Sequence, residues 1–215
     1  MPRADREATL NEDTALPQAA FDKEDRGDDL AFYAPARLVT HIDGSAIAAL
    51  TNFYRDMIPD HARVLDLMSS WVSHLPEERT YAEVIGHGMN ADELAANPRL
   101  DRWFVQDLNT DPALPLDTEA FDAVLCCVGV QYLQRPYDVF AEVRRVLAPS
   151  ATFITSYSNR CFPTKAVAVW RSLDMNGQAS LIGHYLASVG FDRVEARVLA
   201  DGAHGDPLIA VVGRA

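Results

Sequence analysis

The sequence is poor in cysteine, with three in 215 residues. Cys126 and Cys127 lie in an apolar run, where a free cysteine behaves as a small hydrophobic side chain, and no pair has C-x-x-C spacing. The histidines show no metal-ligand spacing either. The sequence therefore predicts neither a disulfide framework nor a metal site.

Long hydrophobic runs and an excess of positive charge are also missing. The longest apolar run, AVLCCVGV, is far shorter than a membrane span, and the stretch MPRADREATL has no apolar core typical of a signal peptide. The 19 basic and 31 acidic residues give a net charge of -12. This charge repels polyanions, so we expect no nucleic acid and no membrane as partner. A cytoplasmic protein is expected, and the oligomeric state stays open.

The character of the chain changes near residue 31. Residues 1–30 carry nine acidic and four basic side chains with few large apolar ones. This composition predicts a flexible acidic segment, because little surface can be buried to offset the entropy of ordering. An Asp/Ser helix start near Asp43, followed by apolar residues at near-helical spacing, predicts an N-terminal helical cap over 31–58. Residues 59–215 remain for one larger domain.

Within 59–215, apolar segments typical of strands alternate with amphipathic segments typical of helices. The predicted strands are RVLDL, YAEVIG, RWFVQ, FDAVLCCV, ATFITSYS, a segment over 193–199 and PLIAVVG. The predicted helices are NADELAANP, PYDVFAEVRRVLA and the segments 164–173 and 178–189. Strands separated by helices predict an α/β fold with a mostly parallel seven-stranded sheet flanked by helices on both faces.

Five segments carry a resemblance to a known family. They are RVLDL, VIG, VQDLN, LPLDTEAFDAVLCCVGVQYL and VFAEVRRVLAPSATFITSYS. In this order they resemble the class I S-adenosylmethionine (SAM) dependent methyltransferases over residues 60–213. The stretch VLDLMSSWVSHLP, which stands in place of the family's glycine-rich loop, is similar to a divergent methyltransferase-like subgroup. The resemblance implies a Rossmann-like fold and SAM as cofactor.

The resemblance also shows where the chain departs from the family. The three glycine positions of the family's G-x-G-x-G loop fall on Met68, Ser70 and Val72. The acid that accepts from the ribose hydroxyls in the family aligns with Gly88, where no carboxylate is present. We expect the hydroxyls of the loop serines to replace the glycines' contacts, and Asn90 to replace the missing acid.

The third strand matches the family more closely. Asp107 aligns with an aspartate that accepts from the adenine amino group, and Leu108 with the residue whose amide meets the ring, although Asp107 could instead form a local turn. The segment FYAPAR is expected to fold over the open end of the sheet, with Tyr33 shielding the sulfonium and Arg37 pairing with the cofactor's carboxylate; alternatively, both side chains are structural or solvated. The predicted cofactor-binding residues are Tyr33, Arg37, Asp66, Met68, Ser69, Ser70, Gly88, Met89, Asn90, Asp107 and Leu108.

His74 and Tyr132 are the candidate catalytic residues. His74 follows the altered loop and could act as a general base, and Tyr132 follows the fourth strand and could line the acceptor pocket. Trp71, Asn159 and Arg160 are predicted to contact the substrate, since ligands bind at the carboxyl ends of parallel strands. A hydrogen-bonded structural histidine and a packed tryptophan remain the alternatives.

Three functions are compatible with these residues. The leading hypothesis is a SAM-dependent methyltransferase that acts on an oxygen, nitrogen or sulfur atom of a small molecule. The alternative is a methyltransferase-like protein without catalysis, either a SAM-binding regulator or an interaction module, because a fold does not imply a function. An enzyme that uses another nucleotide is less favoured, since neither G-x-G-x-x-G nor a Walker lysine is present.

Overall fold

The computed structural model describes residues 15–215, which form a seven-stranded sheet of order β3-β2-β1-β4-β5-β7-β6. The strands are β1 Arg63–Asp66, β2 Glu83–Gly88, β3 Arg102–Val105, β4 Phe121–Cys127, β5 Leu147–Tyr157, β6 Asp192–Ala200 and β7 Leu208–Arg214. The first five strands pair in parallel, and β7 runs antiparallel between β5 and β6. The mostly parallel seven-stranded sheet predicted from the sequence is confirmed.

Helices cover both faces of the sheet. They are α1 Asp29–Tyr33, α2 Gly44–Met57, α3 Ala91–Ala96, α4 Pro136–Val146, α5 Ala168–Arg171 and α6 Met175–Ser188. Successive residues of a strand point to opposite faces, so Val64 joins the hydrophobic core under α2, while Leu65 joins the core that contains Phe140 of α4 and Ile182 of α6. The predicted α/β architecture, with helices on both sides, follows from this alternation.

Local capping explains where several helices begin. The side chains of Asp43, Asn90 and Asp174 accept hydrogen bonds from backbone amides in the first turns of α2, α3 and α6. The helix predicted over 164–173 is reduced to α5, because Val167 is extended and its amide donates to the carbonyl of Gln131. Among residues 15–215, no helix is long and apolar enough to cross a membrane.

The N-terminal segment differs from the flexible one expected for residues 1–30. Residues 1–14 lie outside the described part of the chain, but residues 15–30 pack against the domain. Phe21 is 3% exposed, and its ring meets that of Tyr137 edge to face. The amide of Ala168 also donates to the carbonyl of Asp22. Composition missed this docking because one buried aromatic residue and buried ion pairs, rather than many apolar residues, anchor the segment.

An ion cluster of the buried Lys23, Asp29 and Lys165 and the partly exposed Asp25 holds residues 22–29 against the domain. The Lys165 side chain is 1% exposed, lies 3.0 Å from Asp29 and 3.2 Å from Asp25, and donates to the carbonyl of Gly27 at 2.9 Å. Burial opposes ionisation of Asp29, but the bonds from Lys23 and Lys165 hold its pKa below the ordinary value. The cluster fixes the first part of residues 22–41, which are here called the N-terminal strap and which line the cavity at the carboxyl ends of the strands.

Candidate active site

A cavity of about 230 Å³ opens at the carboxyl ends of the parallel strands and is lined by residues that follow β1, β2, β3 and β4 and by the N-terminal strap. In open α/β sheets this is the usual ligand site, at the point where the strand order reverses. In this sheet the order reverses between β1 and β4. The predicted site residues that line it are Tyr33, Arg37, Asp66, Met68, Ser69, Ser70, His74, Gly88, Met89, Asn90, Asp107, Leu108, Tyr132 and Arg160.

Two predicted substrate residues do not line the cavity. The indole of Trp71 donates to the carbonyl of Val39 at 3.0 Å, so this side chain supports the strap from outside. Asn159 is exposed, and its side chain accepts from Ser158. Arg160 reaches the cavity edge while paired with Asp206 at 2.8 Å.

The loop after β1 keeps the tight course of a glycine-rich loop without its glycines. Met68 has φ of 57°, a left-handed conformation that glycine adopts more readily. The Ser69 amide donates to the carbonyl of His87 at 2.6 Å. A Cβ atom on Gly88 would lie 2.5 Å from the Ser69 carbonyl oxygen, and one on Gly129 would lie 2.9 Å from Cβ of Met68. The loop itself contains no glycine, but Gly88 and Gly129 beside it have no room for a side chain.

The buried side chain of His87 holds the loop after β1 in place by hydrogen bonding. Its Nδ1 accepts from the Met68 amide at 3.1 Å, and its Nε2 lies 3.0 Å from the carbonyl of Gln106, which can only accept. The two partners fix the neutral tautomer that carries its proton on Nε2. Burial lowers the pKa of His87 to about 4, against the raising effects of Gln106 and Asp107.

We expect acid to destabilise the protein through His87. The unfolded chain takes up this proton near pH 6.5 and the folded protein only near pH 4, so stability is lost as pH falls between these values, by about 3 kcal/mol. His74, whose pKa is also lowered, adds to the loss in the same window. Urea denaturation between pH 4 and 7.5 measures it. His87→Gln should flatten the profile, whereas exposed His204→Gln should not; an unchanged profile in His87→Gln would contradict the assignment.

Asp66 lies under the loop at the end of β1. Ser69 Oγ donates to its carboxylate at 2.6 Å, so this serine is engaged locally. Burial raises the pKa of Asp66 to about 6, although bonds from Ser69 and Ser73 act in the opposite direction. Asp66 and Ser69 thus shape the cavity floor as one hydrogen-bonded pair.

Asp107 forms the local turn that the sequence offered as the alternative to cofactor binding, and it also lines the cavity. Its two carboxylate oxygens accept from the Asn109 amide at 2.9 Å and from the Thr110 hydroxyl at 2.7 Å, leaving further lone pairs on each. The neighbouring amide of Leu108 has no acceptor among residues 15–215. A free amide beside a carboxylate matches the donor and acceptor edge of adenine.

Most of the hydrogen-bonding capacity of Asn90 is used within the protein. Its Nδ2 donates to the carbonyls of Tyr33 and Ala34, both at 2.9 Å, and its Oδ1 accepts from the Glu93 amide. The side chain therefore binds the N-terminal strap and caps α3. The sequence did not reveal this contact with the strap, and the predicted contact with ribose stays a prediction that one lone pair of Oδ1 could serve.

Glu93 is a cavity residue that the sequence reasoning missed. Its carboxylate accepts from Ser70 Oγ at 2.6 Å and from the Arg37 amide at 2.7 Å. The only signal in the sequence was its place three residues after the helix cap, where a glutamate usually bonds back to the cap residue. The structure directs this side chain to the loop and the strap instead.

His74 and Tyr132 face the cavity as uncharged groups. Burial, and then the proximity of His41, lower the pKa of His74 to about 4, and its Nδ1 has no hydrogen-bond partner among residues 15–215. Burial raises the pKa of Tyr132 to about 12, and its hydroxyl oxygen accepts from the Phe162 amide at 2.9 Å. Both groups can exchange hydrogen bonds with a ligand without carrying charge at neutral pH.

Arg37 brings a cation to the cavity. Its guanidinium lies 4.8 Å from the ring centre of Phe32 and 5.8 Å from that of Tyr33, and it donates to the carbonyl of Phe32. Within the described residues no carboxylate is paired with it. The Arg37 guanidinium is therefore available for an anionic ligand group, and its pairing with the cofactor's carboxylate stays a prediction.

Comparison with known proteins agrees with the fold. A family model described as a methyltransferase domain matches residues 69–155. No curated protein matches the chain. A SAM-dependent methyltransferase from Mesorhizobium loti is similar in structure, with a TM-score of 0.55 and 18% identity over 80% of this chain and 100% of that chain.

Two other solved structures illustrate the range of similar proteins. The putative methyltransferase bound to the Trm112 methyltransferase activator of Haloferax volcanii has a TM-score of 0.59 and 17% identity over 80% of this chain and 90% of that chain. Phosphoethanolamine N-methyltransferase 2 of Haemonchus contortus, in complex with SAM, has a TM-score of 0.56 and 12% identity over 78% and 52%. Together with the sheet order, these likenesses show that the chain has the fold of SAM-dependent methyltransferases, with a methyltransferase domain matched over residues 69–155.

Proposed function

We propose that this protein transfers a methyl group from SAM to an oxygen, nitrogen or sulfur atom of a small molecule. SAM is the cofactor of the superfamily, and residues of the cavity fit it. The Asp107 carboxylate and the Leu108 amide, which has no acceptor among residues 15–215, suit adenine. Arg37, which pairs with no carboxylate of the same residues, suits the carboxylate of SAM. The fit supports cofactor binding despite the altered loop.

The N-terminal strap is the observation that carries the small-molecule assignment. Asn90 binds the carbonyls of Tyr33 and Ala34, and Glu93 binds the amide of Arg37. Because the ion cluster holds the other end of the strap, this segment crosses the carboxyl ends of the strands. A polymer would have to displace the strap, whereas a small acceptor fits beneath it.

The chemistry of the acceptor side favours a neutral or cationic substrate. The groups there include His74, Tyr132 and Phe162, which are uncharged at neutral pH or apolar. The net charge of -12 also repels polyanions. These properties support a small, weakly polar acceptor.

SAM supplies an electrophilic methyl group on a sulfonium centre. The protein's part is to align the acceptor with that methyl group and to exclude water. Tyr33 and Arg37 cover the cavity, and His74 Nδ1 is a lone acceptor for a proton that the substrate releases. Since His74 has a pKa of about 4, it suits an acceptor atom that needs little deprotonation.

Cofactor binding is tested by calorimetry with S-adenosylhomocysteine. We expect Asp107→Ala to weaken binding by about 10- to 100-fold, because the adenine amino group loses a charged acceptor. Asp111→Ala, an exposed acidic residue of the same loop outside the cavity lining, is the matched control and should bind like the wild type. Equal binding by Asp107→Ala would contradict the adenine assignment.

Methyl transfer is tested with methyl-labelled SAM and a cell extract divided by filtration. After chromatography separates unreacted SAM, we expect a new labelled compound in the fraction of small molecules, and no such compound when wild-type protein is omitted. Label in protein or nucleic acid would contradict the small-molecule assignment. Binding of the cofactor without transfer to any fraction would favour the non-catalytic alternative.

A further inference from the structure

Gly88, where the family carries the acid that binds ribose, has no room for a side chain. A Cβ atom there would lie 2.5 Å from the carbonyl oxygen of Ser69 and 3.2 Å from Cδ2 of Leu94. The Ser69 contact involves backbone, which cannot rotate away as a flexible side chain can. A SAM-binding cavity in this chain must therefore obtain its ribose acceptor from another position.

Among the described residues four carboxylates line the cavity, and three of them have other assignments. Asp29 belongs to the ion cluster, with Lys23 and Lys165. Asp66 lies under the β1 loop and accepts from Ser69. Asp107 lies at the adenine end, after β3. The fourth carboxylate is that of Glu93.

The position of Glu93 in the sheet topology fits the middle of the cofactor. β2 lies between β1 and β3, and α3 begins three residues after β2 ends. A side chain on the first turn of α3 thus lies between the loop after β1 and the adenine-binding turn after β3. The hydrogen bond from Ser70 places the Glu93 carboxylate beside the loop after β1.

The Glu93 carboxylate can accept further hydrogen bonds and, among the described residues, has no compensating cation. The residue is 9% exposed, and its hydrogen-bond donors are a serine hydroxyl and a backbone amide, both neutral. A carboxylate offers about four lone-pair sites, so two remain for a ligand. Within residues 15–215 neither lysine nor arginine forms a salt bridge with it. A buried carboxylate of this kind is costly unless a ligand supplies donors or positive charge.

We infer that Glu93 is the ribose-binding carboxylate of this protein, displaced from the end of β2 to the first turn of α3. Its free lone pairs accept from the two ribose hydroxyls of SAM. Ser70 and the Arg37 amide hold the carboxylate in place for this contact. The inference rests on the proposed function, because it concerns the cofactor of that same reaction.

The test compares S-adenosylhomocysteine with its 2′-deoxy and 3′-deoxy analogues by calorimetry. We expect loss of a ribose hydroxyl to weaken binding to the wild type by about 10- to 100-fold, the usual effect of a hydrogen bond to a charged group. In Glu93→Gln the parent ligand should bind about 10-fold more weakly or worse, and the loss caused by removing a hydroxyl should shrink below about 3-fold.

Two further variants separate ligand contact from fold. Asp92→Asn removes the same charge from an exposed neighbour on the same turn and should keep the wild-type discrimination. Glu93→Asp keeps the charge, withdraws the carboxylate by one methylene, and should lose discrimination as Glu93→Gln does. If Glu93→Gln does not fold, as judged by its melting curve, Glu93→Asp decides the question.

The outcomes for the inference and for the proposed function differ. Wild-type discrimination that persists in Glu93→Gln and Glu93→Asp overturns the role of Glu93. Tight S-adenosylhomocysteine binding by a wild type that does not distinguish the deoxy analogues also overturns it, and leaves the proposed function in place. No binding of S-adenosylhomocysteine by the wild type overturns both.

Discussion

Restoring the acid that the family carries at the end of β2 is expected to abolish cofactor binding in this protein. Gly88→Asp would place a Cβ atom 2.5 Å from the Ser69 carbonyl and force the β1 loop away from His87. We expect a loss of about 3 kcal/mol in stability and at least about a 100-fold loss in S-adenosylhomocysteine affinity, since overpacking against backbone is relieved only by moving the loop. Thermal denaturation and calorimetry measure the two effects.

The matched control is Gly44→Asp. A Cβ atom on Gly44 has nothing within 4 Å, and the residue lies at the first turn of α2, where an acid is tolerated. This variant should keep wild-type stability and affinity. A Gly88→Asp protein that binds S-adenosylhomocysteine as well as the wild type would show that the loop can move without cost, and would refute the steric explanation for the missing acid.

Lys165→Met is expected to destabilise the protein by about 3 kcal/mol. The substitution removes a buried ammonium group that lies 3.0 Å from Asp29, and loss of one member of a buried ion pair leaves its partner desolvated and undercompensated. The N-terminal strap should loosen at the same time, since the ion cluster fixes one end of it. Urea denaturation gives the stability, and proteolysis of residues 22–41 reports the strap.

An exposed ion pair in the same segment provides the comparison. The side chains of Arg26 and Asp22 are 76% and 50% exposed, so Arg26→Met should cost less than about 1 kcal/mol and leave the strap protected. If Lys165→Met had an effect as small as Arg26→Met, the ion cluster could not be what holds the strap.

Hydrophobic periodicity was sufficient to predict the strands of the sheet. Alternate residues of β1 enter cores on opposite faces, and the capping side chains of Asn90 and Asp43 begin α3 and α2 where the sequence placed helix starts. These signals are local, because a strand or helix periodicity and a cap lie within a few residues of one another. The helix expected over 164–173 failed because Lys165 and Val167 are held by distant residues.

The sequence by itself therefore determined the α/β architecture, the superfamily resemblance and the side of the sheet on which a ligand would bind. Tertiary structure decided how the site is built. The Glu93 carboxylate lines the cavity and accepts hydrogen bonds from Ser70 and Arg37, which are 23 and 56 positions away in the sequence. Asn90 is bound to the strap. Tertiary structure also decided that Gly88 must stay small, since the obstacle is the backbone of a separate loop. Local sequence patterns specify helices and strands, whereas the room for a side chain between them is fixed only when the chain packs.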